Sequence, residues 1–130
     1  MDITVSYEEG RVPVTVFHLD GDLIHEEPLQ SRIKEAYESG TRNLLLDLRQ
    51  VPYISSAGLR VLHYVYNLLN NSDQADNGEA VRRAIVSGSY KSPRLKLLKP
   101  SKNAMKALSI AGYDMFLDIH DNEKEAVAAF

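Results

Sequence analysis

Leu44-Leu45-Leu46-Asp47-Leu48-Arg49-Gln50-Val51-Pro52-Tyr53-Ile54-Ser55-Ser56-Ala57-Gly58-Leu59 is the stretch that decides the fold. Its apolar run, residues 43–48, is bounded by turn signals and has the character of a central strand covered on both faces. Four small residues, Ser55, Ser56, Ala57 and Gly58, then stand where a helix must begin. From Leu59 onward, Leu62, Val65, Tyr66 and Leu69 recur at helical spacing, with Arg60, His63 and Asn67 on the other side. A buried strand that empties into an amphipathic helix predicts an α/β unit.

Upstream, Ile3, Val5 and Tyr7 alternate with polar residues, and residues 8–11 turn the chain into a second strand over 12–19. This predicts a β-hairpin, with Pro13 pushing part of its second strand toward a sheet edge. Asp20-Gly21-Asp22 reads as a loop, and Pro28 suits the first turn of a helix bearing Leu29, Ile33, Ala36 and Tyr37 until Gly40 stops it. Downstream, residues 70–93 are polar and turn-rich and read as an insert, within which residues 80–86 suit a short helix or a strand. Residues 94–98 predict a strand, and Ser101 caps a helix bearing Ala104, Met105, Leu108 and Ala111 that Gly112 ends. Residues 115–119 predict a last strand, followed by a short helix capped by Asp121. The order β-β-α-β-α-(insert)-β-α-β-α implies one α/β domain over residues 1–130, with a mixed sheet packed by about four helices.

Composition narrows the function classes. The 130 residues are 44% hydrophobic and 25% charged, enough for one good core and not two. A formal charge of -3 gives no reason to expect a nucleic-acid partner. Without cysteine there are no disulfides, thiolate metal sites or cysteine nucleophiles. The first residues lack a basic segment followed by an apolar one, and no apolar run reaches membrane-spanning length, so a cytoplasmic protein without membrane insertion is expected.

The Ser55-Ser56-Ala57-Gly58 turn carries the functional expectation. A serine before an apolar helix is ordinarily a cap, worth about 1 kcal/mol. Gly58 in the first turn costs about 1 kcal/mol relative to alanine and is not a helix-former's choice. Small side chains there would let another surface approach the backbone closely. A phosphate on Ser56 would suit the free protein, because a helix N-terminus offers unpaired N–H groups and partial positive charge. In a protein interface the same dianion would be costly to bury.

The segment resembles the STAS-domain signature of anti-sigma factor antagonists, in which a strand leads through an Asp-Ser-Ser/Thr-Gly-Leu turn into a helix. Ser56 takes the place of the family's phosphorylated serine, and Gly58-Leu59 match directly. Gly21-Asp22-Leu23 resembles the family's Gly-Glu-Leu, and residues 112–119 its approach to the C-terminal strand. Ser55 replaces the usual aspartate, Ala57 the second hydroxyl, and Ile24 a position that is often acidic; residues 70–93 are longer than the usual link. The resemblance implies docking to an anti-sigma factor that is also a serine kinase with a histidine-kinase-type ATPase domain. Phosphorylation of Ser56 (or of Ser55, the second candidate) would dissociate the complex, and a PP2C-type phosphatase would restore it. Asp20, Gly21, Asp22, Ser55, Ser56, Ala57, Gly58, Leu59 and Arg60 are the expected partner surface, on a monomer or weak dimer that is itself no enzyme. The alternative is an unphosphorylated STAS interaction or scaffold module in a larger complex, with Ser56 only a cap.

Rival chemistries find less support. Asp20, Asp22, Asp47 and Lys99-Pro100 resemble the acidic and Lys-Pro elements of response-regulator receivers, but one helix separates Asp22 from Asp47 where a receiver needs more. His18, His25, His63 and His120 are dispersed without metal-ligand spacing, so no metal is expected. No glycine-rich loop precedes a helical lysine, and neither serine sits in a nucleophile-elbow pattern, so neither a nucleotide cofactor nor hydrolase chemistry is indicated. Arg82-Arg83 within the insert belongs to a solvated loop or to an added docking element that selects the partner.

Overall fold

A computed structural model describes residues 1–70 and 91–130. The opening hairpin pairs β1 (Asp2–Glu9) antiparallel to β2 (Pro13–Asp20), in register from Asp2↔Asp20 to Glu9↔Pro13. Strands β3 (Leu44–Gln50), β4 (Leu95–Leu98) and β5 (Asp118–His120) add in parallel, giving the sheet order β1-β2-β3-β4-β5. Pro13 does not place β2 at an edge. It occupies the first position of the strand, while pairing with β3 begins at Thr15, so its missing N–H costs no bond to β3. The described sheet has β1 and β5 at its edges, so the hairpin strand at an edge is β1.

Alternation along the strands gives the sheet two unlike faces. Phe17, Leu19, Leu44, Leu46, Leu48, Leu95 and Leu97 form the main core with helices α1 (Leu29–Glu38), α2 (Ser56–Asn70) and α3 (Lys102–Ile110). Val14, Val16, Leu45 and Leu98 form a smaller cluster on the other face, under Ala126 and Val127 of α4 (Glu123–Ala128). Asp47, inside what reads as an apolar run, belongs to this second face with Leu45, where α4 is the only helix among the described residues. The mixed sheet and four described helices make the expected α/β architecture.

Local chemistry sets the ends of the elements. Ser101 caps α3 as expected, its side chain accepting from the Ala104 N–H, and Gly112 takes the left-handed conformation at φ 81° just beyond the helix. The cap of α4 is Asn122 rather than Asp121, because Asn122 has the extended backbone and accepts from the Glu125 N–H. The last strand is also displaced: Tyr113–Met115 form a 3-10 turn, so pairing waits until Asp118. Helix α2 runs through Asn70, the first residue of the expected insert, and Ser92 near its other end is buried where its hydroxyl meets Asn70 Oδ1 at 3.5 Å. Residues 71–90, including Arg82-Arg83 and the ambiguous run 80–86, lie outside the described residues.

Candidate functional site

The start of α2 lies at the C-terminal edge of the parallel strands, where the chain leaving β2 zips onto the chain leaving β3. Gly21 donates to the Gln50 carbonyl at 3.0 Å, and Leu23 to the Tyr53 carbonyl at 2.9 Å. Ser55 N–H donates back to the Leu23 carbonyl at 3.0 Å, and Leu23 forms a parallel bridge with Ile54. These bonds hold the Asp20-Gly21-Asp22 loop beside the Ser55–Ser56 turn, with both carboxylate residues exposed. The two sequence segments expected to share one surface are therefore neighbours.

The adjacent serines divide their roles. Ser55, not Ser56, is the N-cap: its Oγ accepts from the Gly58 N–H at 3.3 Å, and its carbonyl takes the first helical bond, from Leu59 N–H at 2.9 Å. The same hydroxyl donates to the Leu23 carbonyl at 3.4 Å. Ser56 is the first helical residue, exposed, with its hydroxyl bonded to none of the described residues. The first turn of α2 contains no acidic side chain, leaving its positive end uncompensated from within.

Gly58 has a different reason from the one expected. It is buried, and an added Cβ would stand 2.4 Å from the Leu23 carbonyl oxygen, 2.8 Å from Leu23 Cγ and 2.9 Å from Ile54 Cγ2. The room left by its missing side chain is filled by the protein's own Leu23, so Gly58 locks the acidic loop under the helix instead of leaving a gap for a visitor. Ala57 and Leu59 are half-buried, and Arg60 is exposed in an ion pair with Glu26 at 3.1 Å. Tyr113 ties the α3–β5 connection to this turn, donating to the Leu59 carbonyl at 2.9 Å; burial raises its phenol pKa. Ser101, capping α3, donates to the Val51 carbonyl at 2.8 Å, so the start of a second helix braces the same turn.

Sequence reasoning missed the apolar part of this surface. Ile24 and Tyr53, flanking the Leu23–Ile54 bridge, are 40% and 50% exposed, and Met1, packed near Gly21, is 40% exposed. A large apolar residue next to a turn that must form backbone bonds was the available signal, since its side chain has no route inward.

A second polar cluster lies on the sheet face that carries α4. Asp47 receives bonds from His18 Nδ1 at 2.7 Å and from Arg49, through Nε at 3.0 Å and a terminal nitrogen at 2.7 Å. Burial pushes the Asp47 carboxyl up, but the Arg49 and His18 hydrogen bonds outweigh it and hold its pKa below the ordinary carboxylate value. Asp47 is thus engaged by its neighbours in the sheet, on the face away from α1 and α2. Among the described residues no helix is long and apolar enough to cross a membrane.

Comparison with known proteins agrees with this geometry. The STAS domain model matches residues 6–74, more than half of the chain. A Thermotoga maritima protein assigned to the anti-sigma factor antagonists superposes with a TM-score of 0.72 at 16% identity, covering 95% of this chain and 90% of that one. An anti-sigma factor antagonist from Mycobacterium paratuberculosis gives 0.68 at 18% identity over 98% and 93%. The Bacillus cell fate determinant SpoIIAA in its phosphorylated form gives 0.65 at 16% identity over 97% and 96%. No curated protein matches the sequence. At these identities the superpositions speak for the fold, and the family model speaks for kinship: the chain belongs to the STAS domain family.

Proposed function

We propose that the protein is an anti-sigma factor antagonist whose binding to an anti-sigma factor is switched by phosphorylation of Ser56. The observation that carries this reading is the exposed Ser56 hydroxyl, bonded to none of the described residues, at the first residue of α2 beside a serine already committed to capping. Structures similar to this chain include the antagonist SpoIIAA in unphosphorylated and phosphorylated forms. The partner is an anti-sigma factor with serine-kinase activity and a histidine-kinase-type ATPase domain, and a PP2C-type phosphatase reverses the modification in the cytoplasm. The protein is the substrate and supplies no catalytic group.

The mechanism follows from charge and space. A phosphate on Ser56 sits at the positive end of α2 and leaves the free fold intact. Against a partner it is a hydrated dianion that must be buried beside Asp20 and Asp22, which already set an acidic rim. That rim, with Arg60 and the exposed Ile24 and Tyr53, selects a partner patch that is basic at its edge and apolar at its centre.

The test uses the purified chain and the kinase recovered with it. Ser56→Asp is expected to fold normally and lose the partner, whereas Ser56→Ala binds constitutively and takes no phosphate by intact-mass measurement. Equal affinity of wild type and both variants would overturn the switch and leave a constitutive interaction module.

A further inference from the structure

We propose that Arg60 is a built-in clamp for the phosphate of the Ser56 switch: on modification it leaves Glu26 and closes on the new group, fixing it over the first turn of α2. The inference rests on the Ser56 reading above and adds a second residue of this chain to it.

Three features of the helix head lead to Arg60. Ser56 and Arg60 stand four positions apart on α2, and both are exposed. Side chains at that spacing share one helix face, with Cβ atoms about 5–6 Å apart, and an anion one turn before a cation is the favoured order. Arg60 is also the one charged residue between Ser55 and Leu62. The backbone donors that ordinarily hold an anion at a helix N-terminus are partly spent: Ser55 takes the Gly58 N–H with its hydroxyl and the Leu59 N–H with its carbonyl. A phosphate on Ser56 therefore turns to the guanidinium for its strongest hydrogen bonds.

In the unmodified chain Glu26 occupies Arg60. Arg60 Nε lies 3.1 Å from Glu26 Oε1, with 65% of the arginine and 45% of the glutamate side chain exposed. An ion pair so open to water holds its partners weakly. A phosphate carries more charge than a carboxylate and accepts from both forks of the guanidinium, so the exchange favours it. Only side-chain rotation is required. The Glu26 carbonyl still accepts from the Gln30 N–H at 3.0 Å, which keeps the connection before α1 in place when its carboxylate is released.

The clamp gives the modification its direction. A phosphate left to swing would be pushed into water by an incoming surface, whereas one pinned across the first turn stands in the way. Arg60, itself on the expected partner surface, is withdrawn from that surface in the same step.

The experiment places phosphoserine at position 56 of the full chain by codon expansion and follows the phosphate by phosphorus NMR as pH is varied. Its second pKa is expected below the ordinary value of about 6. Arg60→Gln should raise that pKa by about 0.5, and Glu26→Gln should lower it slightly by removing the competitor. The Arg60 Nε–H resonance should move with the same midpoint in the phosphorylated chain and stay still in the unmodified one. Both substitutions are at exposed positions, and circular dichroism checks that each variant is folded. A phosphate pKa indifferent to Arg60→Gln, or an Arg60 resonance that ignores the phosphate, overturns the clamp while leaving the Ser56 switch standing. Failure of the switch itself reads out elsewhere, as partner affinity that does not differ among wild type, Ser56→Asp and Ser56→Ala.

Discussion

Ser55 and Ser56 differ by one position and by almost everything that matters to a hydroxyl. Ser55 is spent on the cap and on the Leu23 carbonyl; Ser56 faces solvent. Urea denaturation of Ser55→Ala should therefore show a loss of about 1 kcal/mol, against a change within about 0.5 kcal/mol for Ser56→Ala. Gly58→Ala should be worse than either. The new methyl meets a backbone carbonyl that cannot step aside, and overpacking of this kind costs about 1–3 kcal/mol, readable as a lower thermal midpoint. Partner binding by Gly58→Ala should fall as well, since the acidic loop must shift to admit the methyl.

Among the elements, residues 44–59 are legible in the sequence because their signals are local. Buried residues 44–48 and the periodic Leu62, Val65 and Leu69 leave little choice of strand and helix. The C-terminal third was harder. Asp121 and Asn122 are equally good caps on paper, and only the backbone angles choose Asn122. The 3-10 turn over Tyr113–Met115 sits where the Tyr113 and Phe116 rings pack edge to face, 5.4 Å apart, a contact that no spacing rule announces. The face that carries α4 was invisible for a related reason: His18, Asp47 and Arg49 meet only through strand register. Its electrostatics make a prediction. With its pKa lowered below 3.8 in the fold, the Asp47 carboxyl contributes stability that is complete above the unfolded value and is lost as pH falls through the lower folded one. Asp47→Asn should therefore destabilise the protein at neutral pH and show a flatter decline on acidification in pH-dependent unfolding.

At the scale of the molecule, the sheet divides its labour unequally. Among the described residues, helices α1, α2 and α3 enclose the main core, whereas one six-residue helix covers the second face. Removing residues 122–130 uncovers Val14, Val16, Leu45 and Leu98 together. The shortened chain should keep its sheet by circular dichroism, bind a hydrophobic dye and associate at lower concentration than the full chain. Sequence length and element order sufficed for the architecture, but the inequality of the two faces did not follow from them, because an apolar run in β3 hides a charged residue on its thinly covered side.

The contact between Gly58 and Leu23 has a consequence for signalling. Riveted by the bonds from Gly21, Leu23 and Ser55, the acidic loop and the head of the helix have no slack with which to pass a message onward. A modification at Ser56 then acts as a doorstop, not as a lever. Amide spectra of the modified, unbound protein should change only within a turn or so of the new group.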